Sequence, residues 1–351
     1  GVYVLHWGAV IGLSFRVIMR RRPVGVLLAW MAIILSVPLI GILLYLFIGE
    51  NRISHVYQRR HQALRSEYLQ WKQTLCRQAK VDWTAHNPEE LPIERQSKSL
   101  VGFPAMGGNR LQLLTHFEEI FRALIDDVRG CRSSCHLEFY IWYPGGLADE
   151  LAAALVDAVQ RGVACRLLVD AVGSKAFLNS QSAGGLKVAG VEIAEALPVG
   201  LFSAFFSRAD LRNHRKIAVI DGEIAYTGSQ NLVDPRYFKQ EGGFGQWVDA
   251  MLRIEGPVVE SLAGLFIQDW EVVTGVAFES FSESTNLKRL PPVDKAVAQL
   301  APSGPQPRPL AILQLVVSTI YAARRELLFA TPYFLPDRFL TSALLQAAHR
   351  G

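Results

Sequence analysis

Apolar positions are spread unevenly along this chain, and that unevenness divides it. From Val24 to Ile48 the run VGVLLAWMAIILSVPLIGILLYLFI carries no charged side chain over 25 residues. A helix of that length crosses a hydrocarbon layer of roughly 30 Å. Val2 to Phe15 is a second apolar stretch, short for a span by the same rule. The two predict an N-terminal transmembrane helical hairpin over residues 1–48, and a start at Gly1 leaves room for a clipped first span. A cleaved signal peptide fits poorly, because the second run is too long for a signal core and no small-residue cleavage site follows it.

Residues 49–100 are basic, polar and aromatic, with a helical rhythm in YQRRHQALRSEYLQWKQTLCRQAK and then a Pro- and Glu-bearing loop. They read as a linker or lid. Beyond residue 101 strand and helix patterns alternate. HLEFYIWY (136–143) is a buried strand, LADELAAALVDAVQRG (147–162) a helix ended by Gly162, and ACRLLVDAVGS (164–174) the next strand. VDAMLRIEG (248–256) and PVVESLAGLFIQDWEVVTG (257–275) read as a further strand and a closing helix. This order predicts an α/β fold, a layered sheet with flanking helices.

Late in the chain, RRELLFATPYFLPDRFLTSALLQAAHRG (324–351) echoes SSCHLEFYIWYPGGLADELAAALVDAVQRG (133–162). Both run apolar strand, Pro-bearing turn, acidic residue, then an Ala/Leu helix closed by Arg-Gly, at an offset of roughly 190 residues. The alternative is two unrelated strand–helix units. On the repeat reading, 101–289 is a first half, the Pro-rich stretch 290–309 a connection, and 310–351 the start of a second half that the chain breaks off.

Composition adds modest constraints. The 351 residues are 50% hydrophobic with a net charge of +4, and the mean hydropathy of +0.19 is high for a wholly soluble chain. Arginines flank both sides of the apolar hairpin (Arg16, Arg20, Arg21 and Arg22; Arg52, Arg59, Arg60 and Arg65), so the positive-inside rule gives no orientation. They suit an anionic membrane surface or act only as topology determinants. The four cysteines, Cys76, Cys131, Cys135 and Cys165, show neither a disulfide framework nor zinc-site spacing, and no metal or other cofactor is expected.

The chemistry concentrates in RNHRKIAVIDGEIAYTGSQN, Arg212 to Asn231. In a strand, residues two apart share a face, which sets His214 beside Lys216. Asp221-Gly222 is a favoured hairpin turn, and EIAYT (223–227) returns antiparallel toward Gly228, Ser229 and Asn231. An imidazole, an ammonium, a hydroxyl, an amide and a glycine for close backbone approach together suit a phosphate. Histidine is the group able to attack or transfer a proton near neutral pH. The pattern H-x-K-x4-D-x6-G-S-x-N fixes six positions in eighteen, far more than a lone structural histidine or a common turn would supply.

This stretch resembles the His-Lys-Asp motif of the phospholipase D superfamily. The likeness extends to bacterial cardiolipin synthases through RNHRKIAVIDG, YTGSQNLVDPRYFKQ, GQWVDAMLRIEGPVV, QDWE and TPYFLP. The resemblance implies a two-half enzyme with one motif per half and two histidines meeting at a shared cleft. It implies double displacement on a phosphodiester without metal, through a phosphatidyl-histidine, with phosphatidylglycerol as both donor and acceptor and glycerol as the leaving alcohol. It also implies residence in the bacterial inner membrane, multi-pass, with phospholipids and an anionic membrane as partners and no nucleic acid.

On this reading His214, Lys216 and Asp221 form the catalytic set, with His214 as nucleophile or, with the roles reversed, as acid. Gly228, Ser229 and Asn231 bind the phosphoryl group. An imidazole nucleophile needs a partner for its other nitrogen. Asp221, Asp234 and Asp249 are candidates; the resemblance favours Asp249, and Asp221 equally suits a role stabilising its turn. Phe202, Phe205 and Phe206 in LPVGLFSAFFSR either face lipid or lie in the core. Tyr140, Trp142 and Tyr143 read as core or cleft wall, and the resemblance adds Gly173 and Ser174 to the cleft. A chain with one such histidine is expected to be inactive alone, and the offset predicts a second motif at roughly residues 395–415. The rival readings are a phospholipid hydrolase, a nucleic-acid phosphodiesterase and an inactive membrane scaffold. No basic patch with interleaved aromatics surrounds the motif to favour nucleic acid.

Overall fold

The computed structural model describes residues 2–19, 24–49, 65–197, 212, 214–238, 246–278, 280–281, 287–303, 310–331 and 334–350. The chain forms two units, one of residues 1–58 with 199–211, the other of residues 59–198 with 212–351.

The first unit contains helices α1 (Val2–Met19), α2 (Val24–Ser36) and α3 (Pro38–Leu44), then one π-helical turn, Tyr45–Gly49. Val10, Val17, Ile34 and Tyr45 are buried together, while Ile11, Phe15, Leu28 and Leu39 are exposed. The uncharged run expected to be one long helix is divided at Val37, which is non-helical (φ −133°, ψ 71°), with Pro38 opening the next helix. Proline supplies no N–H to the preceding turn and pushes the residue before it out of the α region. Among the described residues no helix is long and apolar enough to cross a membrane.

The second unit is built on one eight-stranded sheet, in the order β4-β3-β2-β5-β6-β7-β1-β8. Its strands are β1 (Ala105–Leu114), β2 (Ser134–Phe139), β3 (Ala164–Asp170), β4 (Glu192–Ala196), β5 (Lys216–Ile220), β6 (Ile224–Gly228), β7 (Met251–Glu255) and β8 (Ala296–Gln299). β2, β3 and β4 run parallel; the other pairings are antiparallel. β2 lies in the middle with every side chain buried, as a strand covered on both faces must.

Helices cover both faces. α4 (Arg65–Gln78), α5 (Glu90–Val101), α6 (Phe117–Gly130) and α7 (Leu147–Gln160) are followed by the short α8 (Lys175–Leu178), α9 (Gln181–Ala189) and α10 (Val259–Thr274). α6 and α7 pack on the face that takes Ala218 and Ile220 of β5. α4 and α10 pack on the other, which takes Ile217 and Val219. The period of two along β5 thus splits its side chains between two cores.

The sequence reading differs from this architecture in three places. Residues 65–101, read as linker, pack in the unit: Tyr68 and Leu75 are buried with α10, and the Trp71 ring lies where a side chain on Gly264 would stand. The Pro-rich stretch 290–309 contains β8, paired with β1. The strand expected near 324–331 is not formed; Leu328 and Leu335 are exposed between α11 (Ala311–Ala322) and α12 (Arg338–His349), and no described strand offers them a ladder. The helix of that echo does form, capped by Asp337, whose carboxylate accepts the Leu340 N–H at 2.8 Å.

Candidate functional site

The carboxyl ends of parallel strands are where α/β sheets leave a crevice, and most of the motif gathers at that end. β5 runs against β2 with Lys216 opposite Phe139, so His214 and Lys216 stand beside the residues that leave β2. Ile217 pairs with Thr227, and Gly228 with Met251. Gly228, Ser229 and Asn231 therefore leave β6, and Asp249 approaches β7, at the same end as His214. Trp142 bridges to Leu232, and Leu232 N–H donates to Ile141 O at 3.0 Å, closing the loops after β2 and β6 on each other.

His214 stands at an exposed edge with one ring face covered by Tyr140; the centroids are 4.0 Å apart and the planes 17° from parallel. That partial burial lowers its pKa below the usual imidazole value, the Lys216 and Arg212 charges add to the effect, and Asp170 opposes it. The lowered pKa favours the neutral ring, the form a nucleophile requires. Lys216 Nζ donates to His214 O at 2.7 Å. Burial lowers its pKa, and Asp249 offsets part of that.

The Asp249 charge acts on Lys216. The carboxylate whose field reaches His214 is Asp170, buried at the end of β3 and ion-paired with buried Arg212, whose Nη1 is 2.9 Å from Oδ1 and from Oδ2. Arg215, between the two motif residues, points to the other face and pairs with Asp269 of α10. That pair ties the start of β5 to the core.

Asp221 lies elsewhere. It occupies the turn at the far end of β5, in the left-handed region (φ 54°). Its carboxylate accepts the N–H groups of Arg132 (2.9 Å), Ser133 (2.7 Å) and Ser134 (3.0 Å) and the Ser133 hydroxyl (2.9 Å). Burial pushes its pKa up, but these bonds outweigh it and hold the carboxyl below its usual value. Asp221 thus fastens the start of β2 to the end of β5, a whole strand away from His214. Asp234 is likewise engaged, accepting from Leu147 N–H at 3.1 Å and Arg236 Nη2 at 2.7 Å.

Around the phosphate-binding candidates the backbone is tight. A Cβ on Gly228 would overlap Ala250 O and lie 2.8 Å from Met251 Cα. The Ser229 hydroxyl accepts the Ala250 N–H at 3.0 Å, tying the end of β6 to the residue after Asp249. Asn231 Oδ1 accepts the Ile141 N–H at 3.0 Å, which fixes the amide so that its NH2 group turns the other way as a donor. Tyr237, Trp247 and Val248 are exposed beside these loops, with Tyr143, Phe238 and Trp247 meeting edge to face at 5.0 and 5.1 Å. Phe202, Phe205 and Phe206 lie outside the described residues.

The Asp170–Arg212 pair and the Tyr140 stack were missed from sequence. The available signals were an aspartate ending a buried strand and a tyrosine one residue past another; nothing local joins positions 42 apart.

The chain is similar to known proteins along most of its length. Residues 124–270 match the family described as "Cardiolipin synthase, PLD-like domain", and residues 8–50 match "Phospholipase_D-nuclease N-terminal". Cardiolipin synthase A of Yersinia pseudotuberculosis serotype IB (strain PB1/+) is 38% identical over 346 residues, covering 99% of this chain and 71% of the relative. Cardiolipin synthase A of Pectobacterium carotovorum subsp. carotovorum (strain PC1) matches to the same extent, 38% over 346 residues. Among solved structures, phosphatidylserine synthase of Haemophilus influenzae Rd KW20 shows a looser likeness. Its TM-score is 0.48 at 12% identity, over 73% of this chain and 63% of that one.

Proposed function

The chain belongs to the cardiolipin synthase family of phospholipase D-like proteins, and on that premise we propose that it joins two phosphatidylglycerol molecules into cardiolipin with release of glycerol. It is a phosphatidyltransferase of that superfamily. The observation that carries the finer reading is the convergence of His214, Lys216 and the Asn231 amide donor at one end of the sheet.

In the first displacement a nitrogen of His214 attacks the phosphorus of the donor lipid. The N–P bond forms as the P–O bond to the terminal glycerol breaks, and the departing oxygen takes its electron pair and a proton from an acid, which the family resemblance assigns to a second histidine. Lys216 and the Asn231 NH2 group meet the non-bridging oxygens as charge builds there. Asp249 offsets part of the burial that lowers the Lys216 pKa, and the backbone cradle at Gly228 and Ser229 admits the phosphoryl group. In the second displacement the hydroxyl of another phosphatidylglycerol attacks phosphorus as its proton passes to the second histidine, which the first step left neutral; the new P–O bond forms as the N–P bond breaks and the His214 imidazole leaves neutral. Asp221 has a positioning role: it holds the strands that carry the site.

The acyl chains meet the exposed Tyr237, Trp247 and Val248. The apolar run Val24–Ile48 and the exposed apolar side chains of α1 to α3 support embedding of the N-terminal unit in the bacterial inner membrane as a hairpin. Incubating a chain that carries both histidines with phosphatidylglycerol vesicles, followed by chromatography of the lipid products, tests the activity. Cardiolipin with an equal yield of glycerol is expected, whereas phosphatidic acid alone would make the protein a hydrolase.

A further inference from the structure

The motif supplies His214 with a neighbour in sequence but with nothing that fixes the plane of its ring. Among the described residues neither ring nitrogen is hydrogen-bonded. An attacking nitrogen directs its lone pair in the ring plane, so a freely turning imidazole would present that pair to phosphorus only part of the time. What limits the ring is the face it shares with Tyr140.

We propose that Tyr140 is the positioning residue of the His214–Lys216 pair, its ring fixing the imidazole plane from one face and stabilising the positive charge that the imidazole gains as the N–P bond forms. Tyr140 is the first residue past β2, level with the start of β5. Lys216 Nζ lies 5.8 Å from the centroid of the same ring, so one aromatic surface borders both motif residues. An aromatic face attracts a cation, and the phosphorylated imidazole is one.

Tyr140 is itself held. Ser174, fully buried, donates its hydroxyl to Tyr140 O at 3.1 Å and accepts the Trp142 N–H at 2.9 Å. Gly173 leaves the space into which Tyr140 packs; a Cβ there would overlap Tyr140 O and stand 3.1 Å from Cε2. Both residues follow Asp170, which accepts the Val172 and Gly173 N–H groups at 2.9 and 2.8 Å while pairing with Arg212. A single buried carboxylate therefore secures the loop behind Tyr140 and the segment two residues ahead of His214. The charged groups acting on the His214 ring are Lys216, Arg212 and Asp170, and Asp249 acts on Lys216.

The test compares Tyr140→Phe, which keeps the ring, with Tyr140→Leu, which removes it, each checked for an unchanged fold by circular dichroism. The kinetic arm rests on the proposed cardiolipin-forming activity: kcat is expected to fall about 10- to 100-fold in Tyr140→Leu with KM unchanged, and to stay within about twofold in Tyr140→Phe. The second arm is NMR titration of His214, assigned by the resonance lost in His214→Gln, and it does not depend on what the enzyme makes. Its midpoint is expected to rise toward 6.5 in Tyr140→Leu, because the ring stacked on one imidazole face is removed, and to stay put in Tyr140→Phe. Wild-type turnover and an unmoved midpoint in Tyr140→Leu would overturn the proposal. So would a Tyr140→Phe variant as impaired as Tyr140→Leu, since the hydroxyl would then be the group that matters. A normal titration shift with no cardiolipin formed by any variant would fault the activity and leave the positioning role standing.

Discussion

His136 lies on β2, the strand that leads into Tyr140, and its titration gives the fold a calculable acid sensitivity. The ring is 1% exposed, stacked on Phe266 of α10 at 4.7 Å, with Arg166 Nη1 3.4 Å from Nε2. Burial, assisted by the Arg166 charge, drives its pKa down to about 3, against about 6.5 in an unfolded chain. Between those values the unfolded chain holds a proton that the folded chain refuses. Stability is therefore complete above pH 6.5 and declines as the pH falls toward 3. From pH 7.5 to pH 5 this one residue should cost the folded state about 2 kcal/mol, from 1.36 kcal/mol per pH unit below 6.5. His136→Gln keeps an acceptor for Arg166 but does not titrate. Urea unfolding followed by circular dichroism across that range should find the variant less stable than wild type at pH 7.5, yet losing about 2 kcal/mol less on acidification. Parallel pH profiles for the two proteins would refute the reasoning, since His136 would then titrate alike in both states.

Asp221→Ala should lower stability by about 1–3 kcal/mol, from the loss of four hydrogen bonds and a non-glycine residue better suited to positive φ, while kcat per folded molecule stays near wild type; thermal melts and active-fraction kinetics check both. Because the Asp221 pKa is lowered on folding, its contribution is present above the unfolded carboxylate pKa and is lost as pH falls through the folded value, so wild type and variant should converge in acid. Gly228→Ala should cost about 1–3 kcal/mol and also lower turnover, because the new methyl meets the backbone of Ala250 and Met251 and must part β6 from β7; a variant with an unchanged melting temperature would contradict the close approach.

The parts of this protein that could be read from sequence are those governed by local rules. The β5–β6 hairpin follows from alternation and the Asp221-Gly222 turn, and α7 and α10 follow from helical periodicity with glycine just beyond their ends. β1 and α6 went unread, although Ile120, Phe121, Leu124, Ile125 and Val128 form a regular apolar stripe on α6. The helix of residues 65–78 looked like linker because its surface is charged and its buried side, with Tyr68, Trp71 and Leu75, is mostly aromatic. For the site, spacing alone placed His214, Lys216, Gly228, Ser229 and Asn231 at one end of a hairpin. It could not tell which carboxylate faces which cation, because Asp170, Asp221 and Asp249 are assigned by strand order and register across the sheet. Asp221 illustrates the limit: it belongs to the motif by sequence, yet a five-residue strand carries it to the opposite end from His214.

The proposed mechanism requires that His214 form a covalent bond to phosphorus. Phosphatidylglycerol labelled with 32P in its diester should be mixed with the enzyme, the reaction quenched within a turnover, and the protein mapped by peptide. Acid-labile label on the peptide carrying His214, absent from a folded His214→Gln variant that makes no cardiolipin, is the predicted result. Cardiolipin formation with no label at His214, or undiminished turnover in His214→Gln, would contradict it.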